Sequence, residues 1–125
     1  MGAGIALSIA ERFPTVYKAY ADRHKVKPLQ LGEIIPVQVY KNVWIVNAMT
    51  QDFTSSSSTG RQVNYEAVAE AFERIVEWRK QEKLTTLPVI FPKIGAGLGG
   101  GSWLIVKAII DNTLDQATVR RCYVL

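Results

Sequence analysis

The residues with the clearest chemical potential are Gly95-Ala96-Gly97-Leu98-Gly99-Gly100-Gly101, followed by Ser102 and the apolar run Trp103-Leu104-Ile105-Val106. Five glycines in seven positions exceed what a short strand-to-helix connection needs. Glycine permits positive φ and close approach of backbone to a ligand. Loop amides and the first amides of the following helix then converge on one place, where the helix dipole favours negative charge. The chemistry predicted is an anion cradle, most simply for phosphate. Ser102 stands where an N-cap hydroxyl could accept from first-turn amides. The spacing Gly95-x-Gly97-x-x-Gly100 also fits a dinucleotide fingerprint, but that motif needs a further strand, an acidic residue about 20 residues on and more sheet than the remaining chain holds. The nucleoside-triphosphatase loop is excluded because no lysine precedes Ser102.

A second glycine-bearing helix start lies at Gly2-Ala3-Gly4-Ile5. Two such termini in one small domain could hold the two phosphates of a pyrophosphate. Asn47, Thr50 and Gln51 cluster at the end of an apolar run, where they can bind a ligand or satisfy loop amides. The chain has one cysteine, Cys122, and one histidine, His24. No disulfide within the chain and no metal-ligand cluster can be built from them. Cys122 falls in an apolar terminal run and is expected in the core, and His24 lies in a basic, exposed segment.

These residues must be positioned by elements that the pattern predicts. Ile5, Ile9 and Phe13 share one helical face, and Pro14 ends that helix or starts a short one to about Arg23. A loop from His24 to Gly32 leads to a strand over Glu33–Tyr40, which Pro36 confines to an edge. Lys41-Asn42 is a tight turn, and Val43–Met49 is a second, more apolar and more buried strand. Asp52–Gln62, with four consecutive serines, is a polar loop. Asn64 caps a long helix to about Lys80, with Val68, Phe72, Ile75 and Val76 on its buried stripe. Leu87–Pro92 is a short buried strand that delivers the glycine loop. A helix begins at Trp103, a turn spans Asp111–Gln116, and Thr118–Leu125 ends the chain as a strand. The class is α/β, a three-layer sandwich of helices around a mixed sheet, in one domain over residues 1–125. Asn47 and the glycine loop both fall at carboxyl ends of strands, where such sheets bind ligands.

Composition narrows the partners. A net charge of +4 with scattered basic residues suits a small anionic ligand and lacks the basic stripe with interleaved aromatics expected of a nucleic-acid binder. No signal peptide or membrane-spanning run is present, so the expected location is the cytoplasm. The sequence calls for no cofactor or metal and sets no oligomeric state.

Four blocks taken together resemble the macro domain family: Met1-Gly2-Ala3-Gly4-Ile5-Ala6 with Phe13-Pro14, Val46-Asn47-Ala48-Met49-Thr50-Gln51, Asn64-Tyr65-Glu66-Ala67, and Pro92-Lys93-Ile94 continuing through Trp103. The likeness is nearest to the small phage and bacterial members and to the branch holding the yeast-type ADP-ribose-1''-phosphate phosphatases and terminal ADP-ribose hydrolases. It implies a site for ADP-ribose or an ADP-ribosylated protein. The Gly2–Ile5 turn and the loop Gly95, Ala96, Gly97, Leu98 and Gly99 would grip the diphosphate through amides. Ile5 would pack near ribose and phosphates, and Gln51 would approach the distal ribose.

The chain also departs from that pattern. Family members carry two strands before the first glycine turn, the second ending in an Asn at the distal ribose and lying mid-sheet; here the chain opens at the turn. It therefore reads as N-terminally incomplete, a fragment or a frame begun at an internal Met, unless the two halves of the sheet pair directly. An unfilled central position would leave two rows of backbone groups unpaired, at about 1–3 kcal/mol for each buried one. Gln51 and Gly99 stand where the terminal hydrolases use Lys and Asp, which removes the lysine-adduct route, and Ser102 stands where phage-type relatives often have Asp. The expected function is binding of ADP-ribose or a derivative; its enzyme form would hydrolyse ADP-ribose-1''-phosphate, and the residues single out no general acid or base for it. Its rivals are a reader module without turnover and a fragment without independent function. A nicotinamide-dependent oxidoreductase would need more chain.

Overall fold

The computed structural model describes residues 4–51, 63–95 and 100–123. Helix α1, Gly4–Arg12, passes directly into α2, Pro14–Val26. Pro14 sits in the first turn of α2, where its missing N–H costs nothing. This helix outruns the expected end near Arg23: His24 and Lys25 belong to its last turn, where positive charge favours the C-terminal dipole. His24 stacks on Tyr20, and its Nδ1 accepts the Leu29 amide at 3.3 Å. The loop beyond is tied by Arg23, whose guanidinium donates to Glu33 at 2.5 Å.

Strands β1, Ile34–Tyr40, and β2, Val43–Ala48, form an antiparallel hairpin. Asn42 turns the chain at φ 62°, a conformation asparagine tolerates. Trp44 meets Trp78 edge-on at 5.1 Å, and Val46 and Ile34 pack on the core. The register pairs Ile34 with Ala48 and Pro36 with Val46, so these residues share the face under the long helix α3, Tyr65–Gln81. Helix α2 packs on the hairpin from the other side, which makes the layers helix, sheet, helix. β2, expected to be the more buried strand, has one exposed residue of six against two of seven in β1, and the rest of both strands is half-buried.

Strand β3, Val89–Pro92, pairs in parallel with β4, Arg120–Tyr123, across helix α4, Trp103–Thr113. Pro88 offers no N–H, and β3 begins after it rather than at Leu87. Phe91 is buried against Phe72 and Trp103, but Ile90 is 63% exposed. The strand expected to be buried is thus covered on one face, the face under α3 and α4. Cys122, expected in the core, is exposed, since β4 lies at the end of this pair. The core itself is Val63, Val68, Phe72, Ile75, Phe91, Val106, Ile110 and Leu114. The α3 stripe is as the pattern predicts, with Glu70, Glu73, Arg74 and Glu77 exposed.

The mixed α/β architecture comes in two pieces. Among the described residues the strands make two two-stranded sheets, β1-β2 and β3-β4, with no ladder between them. The sheet halves do not pair directly.

Arg79 was not singled out by the sequence. It is 6% exposed on α3 and carries no carboxylate partner among its hydrogen bonds. Its guanidinium donates to the carbonyls of Leu87 (2.5 Å), Thr85 (3.2 Å) and Leu84 (3.4 Å) and to the Thr118 hydroxyl (3.4 Å). Desolvation lowers its pKa from the ordinary arginine value. One side chain thereby ties the turn that feeds β3 to Thr118, two residues before β4.

Candidate functional site

The site grows from the place where the carboxyl ends of β2 and β3 meet the amino end of α3. Asn64 caps α3: its side-chain oxygen accepts the Ala67 amide at 2.9 Å. Its own amide donates to the Thr50 carbonyl at 2.8 Å, and Gln51 forms an antiparallel bridge with Val63. Thr50 is buried there. Val63 precedes the cap and Val68 follows it by four, and both lie in one core cluster, the arrangement of a hydrophobic staple.

Val63 also closes the neck of the glycine loop. The Gly101 amide donates to the Gly95 carbonyl at 2.8 Å, which draws the two ends of that loop together. A Cβ placed on Gly95 would fall 2.5 Å from Val63 Cγ2 and 2.9 Å from its Cβ, and one on Gly101 would strike Val63 Cγ1. Gly95 (φ 73°) and Gly100 (φ 67°) adopt left-handed backbone. Glycine is required at Gly95 both by conformation and by the packed valine.

Beyond the neck the chain enters α4. Ser102 occupies the N-cap position, but its side chain makes no capping hydrogen bond, contrary to expectation. The cap is organised through its backbone instead: the Ser102 amide donates to the Tyr65 hydroxyl at 2.9 Å, and its carbonyl accepts from Val106.

Asn47 lies three residues before Thr50 on β2, and its side-chain Nδ2 is buried with no hydrogen-bond partner. Gly4 and Ile5 open α1. Gly2, Ala3, Ala96, Gly97, Leu98 and Gly99 lie outside the described residues, as does the polar loop over 52–62. Of the candidate residues, the structure gathers Thr50, Gln51 and Gly95 around Val63. Sequence reasoning passed over Val63 and the role of Tyr65. The signal for Val63 was present, a lone apolar residue between a polar loop and an N-cap.

Among the described residues the resolved pKa shifts belong to Asp22 on α2, Asp111 on α4 and Arg79 near the carboxyl end of α3. Among the described residues no group of three His, Cys, Asp or Glu could hold a metal ion, and no helix is long and apolar enough to cross a membrane. The arrangement suits binding of a negatively charged group by amides.

Comparison with known proteins places this geometry. The model of the Macro domain family matches residues 1–110. An uncharacterised 17.5 kDa protein of Enterobacteria phage T4, from the tk-vs intergenic region, is 25% identical over 113 residues, covering 90% of this chain and 71% of its own length. A DNA ADP-ribosyl transferase-DNA ADP-ribosyl glycohydrolase fusion protein of Thermosipho africanus is 29% identical over 135 residues, covering 95% of this chain; the chain spans 34% of that protein. Among solved structures, the macrodomain of Thermus aquaticus DarG superposes with a TM-score of 0.76 at 26% identity, over 99% of this chain and 80% of that one. Thermosipho africanus DarTG in complex with ADP-ribose shares the fold, with a TM-score of 0.75 at 23% identity over 98% of this chain and 34% of that one.

Proposed function

This chain belongs to the macro domain family, and from that premise we propose that it binds ADP-ribose or a group carrying it. The observation that carries the reading is the glycine neck, tied by the Gly101 amide on the Gly95 carbonyl, at the amino end of α4, whose cap residue makes no side-chain capping bond. A diphosphate is the anion such amides suit, because each phosphate can take several N–H donors without a counter-ion. In this reading Gly2, Ala3, Gly4 and Ile5 form one wall. Gly95, Ala96, Gly97, Leu98 and Gly99 form the other. Asn47, Thr50 and Gln51 lie toward the distal ribose. The names of the relatives support the ligand class: one is a DNA ADP-ribosyl glycohydrolase fusion, and one was solved with ADP-ribose.

The catalytic form of the proposal is hydrolysis at the distal ribose, of ADP-ribose-1''-phosphate or of an ADP-ribosyl link. The loops hold the diphosphate and Gln51 helps to orient a water. Binding without turnover is the second reading, favoured because Gln51 and Gly99 stand where the terminal hydrolases carry Lys and Asp. Isothermal titration with ADP-ribose tests the binding. Phosphate release from ADP-ribose-1''-phosphate and release of ADP-ribose from modified DNA or protein then separate the forms. Heat with neither product identifies a reader, and no heat with ADP-ribose refutes the proposal.

A further inference from the structure

We propose that the exposed flank of α2, with the turn of the β1–β2 hairpin beside it, binds single-stranded nucleic acid. The rings of Tyr17, Tyr20 and His24 lie against bases, and Arg12, Lys25, Lys27 and Lys41 hold phosphates. This surface does not draw on the ADP-ribose reading. Along the sequence the basic and aromatic residues look scattered, and no stripe of the two together is evident. The helix gathers them. Tyr17, Tyr20 and His24 stand three and four apart, so one face of α2 carries all three. The ring centroids of Tyr17 and Tyr20 are 6.4 Å apart. Those of Tyr20 and His24 are 6.3 Å apart, with planes 6° from parallel. One turn earlier, at the N-cap of α2, Phe13 meets Tyr40 edge-on at 5.8 Å. From Phe13 to His24 the row runs about 16 Å, at about 1.5 Å per helical residue. It is not core: α2 buries Val16 on its inner side, whereas Tyr17 is 50% exposed and Tyr40 57%.

Charge collects on the same segment. Residues 11–27 hold five lysines and arginines against two carboxylates, a surplus of three in a chain whose total is +4. Asp22 is taken by Lys18 at 2.5 Å, and Glu33, on the loop that follows, by Arg23. Glu11 is the remaining carboxylate of the segment. Among the described residues Arg12, Lys25, Lys27 and Lys41 have no carboxylate at salt-bridge distance. Their places bracket the ring row. The Arg12 guanidinium carbon lies 5.6 Å from the Phe13 centroid, and Lys41 follows Tyr40 directly. Lys25 and Lys27 stand at the His24 end. His24 accepts the Leu29 amide on Nδ1 at 3.3 Å. That bond puts the proton of the neutral imidazole on Nε2, as a donor at the end of the row.

The combination selects the partner. A single strand offers regularly spaced monoanions and unpaired flat bases, and stacking on aromatic rings tolerates any sequence. A duplex hides those faces in its own stack. An acidic peptide brings charge without them. A bilayer asks for a continuous apolar face, but Lys18, Asp22 and Lys25 interrupt the exposed side of α2. A second copy of this chain would bring like charge to like.

The test is fluorescence anisotropy of a labelled twelve-nucleotide oligothymidylate titrated with the full chain, without ADP-ribose. The logarithm of the association constant should fall with the logarithm of salt at a slope of about −3, as four cations at about 0.7 each imply for a single strand. Lys25→Gln with Lys27→Gln should roughly halve that slope. Tyr17→Ala should weaken binding about tenfold through loss of one stacked base, while Tyr17→Phe retains it. An abasic strand of equal length should bind at least about tenfold more weakly. Lys80→Gln with Lys83→Gln, the same charge change at the carboxyl end of α3, should leave binding as it is. All of these side chains are exposed, so the fold is expected to tolerate the changes. The proposal is overturned if the oligothymidylate does not bind, if the abasic strand binds equally well, if Tyr17→Ala changes nothing, or if the α3 pair weakens binding as much as the α2 pair. Capture by phosphatidylserine vesicles without binding of the strand assigns the surface to lipid and overturns it too. With ADP-ribose absent throughout, the outcome is separate from that of the ADP-ribose titration.

Discussion

Replacing Gly101 by Ala tests whether Val63 sets the width of the glycine-loop neck. The added methyl would strike Val63 Cγ1 and lie 3.1 Å from the Gly95 carbonyl oxygen. Val63 is 3% exposed and held by the core, so it cannot swing aside freely. Overpacking of this kind costs about 1–3 kcal/mol. For a chain of this length that lowers Tm by roughly 5–15 °C. Val63→Ala alone removes two buried methyls and costs about 2 kcal/mol. In the double variant the two methyls no longer collide. The double variant should therefore be more stable than the summed single effects by about 1–2 kcal/mol. Gly95→Ala is the companion: trimming Val63 removes the contact at Cγ2, but the Val63 Cβ at 2.9 Å and the strain of φ 73° remain, the strain being about 1–2 kcal/mol that no second change recovers. Urea titrations followed by tryptophan fluorescence give the free energies, and Trp103, packed on Phe91, reports from beside the neck. If Gly101→Ala and Val63→Ala add within about 0.5 kcal/mol, the account of Val63 as the stop in that neck is wrong.

Arg79→Met should cost about 2–4 kcal/mol, because it removes the donor from the Thr85 and Leu87 carbonyls in a part-buried site, and Arg79→Lys should recover little since one ammonium cannot span them; urea melts measure both. Tyr65→Phe removes the acceptor for the Ser102 amide and should cost about 1 kcal/mol while weakening ADP-ribose binding in titration calorimetry, with the secondary structure unchanged by circular dichroism. Asp111 has its pKa held below the ordinary carboxylate value, first by the hydrogen bond from Lys107 and also by Arg120, against a desolvation that raises it. A depressed folded pKa means stability that is present above about pH 4 and lost as pH falls through the folded value. Because the carboxylate is largely exposed, Asp111→Asn should lower stability at neutral pH by no more than about 0.5 kcal/mol and flatten the acid limb of a Tm-against-pH curve. Cys122 should react with a water-soluble disulfide reagent in the native protein at the rate of an exposed thiol, whereas a core position would protect it.

Much of the local structure was legible because its causes are local. The stripe Val68-Phe72-Ile75 sets α3 at helical period, Asn64 supplies the cap, and Asn42 is a residue that accepts φ 62°. Pro14 and Pro36 were informative for the same reason: a missing N–H restricts a residue wherever it sits. Burial of strands was less legible because it depends on neighbours remote in sequence. Ile90 and Phe91 are adjacent and equally apolar, and the helices above decide which is covered. The same holds for Cys122. Arg79 was illegible for a different reason. A single arginine near the end of a helix usually extends into solvent, and nothing in its spacing shows that Leu84, Thr85 and Leu87 fold back over it. At the site, the glycine pattern and the family blocks marked the loop, while the residue that closes it, Val63, belongs to another segment.

The bridge between Gln51 and Val63 has a further meaning. It fixes the two stems of the intervening stretch side by side, so the length of that stretch is decoupled from the framework beneath. Closing a loop between fixed stems becomes harder only with the logarithm of its length, by about 0.6 kcal/mol for each doubling. Insertions or deletions between these two stems should therefore cost the described framework little. The clasp at Val63 lets that variation proceed without a toll on the rest of the fold.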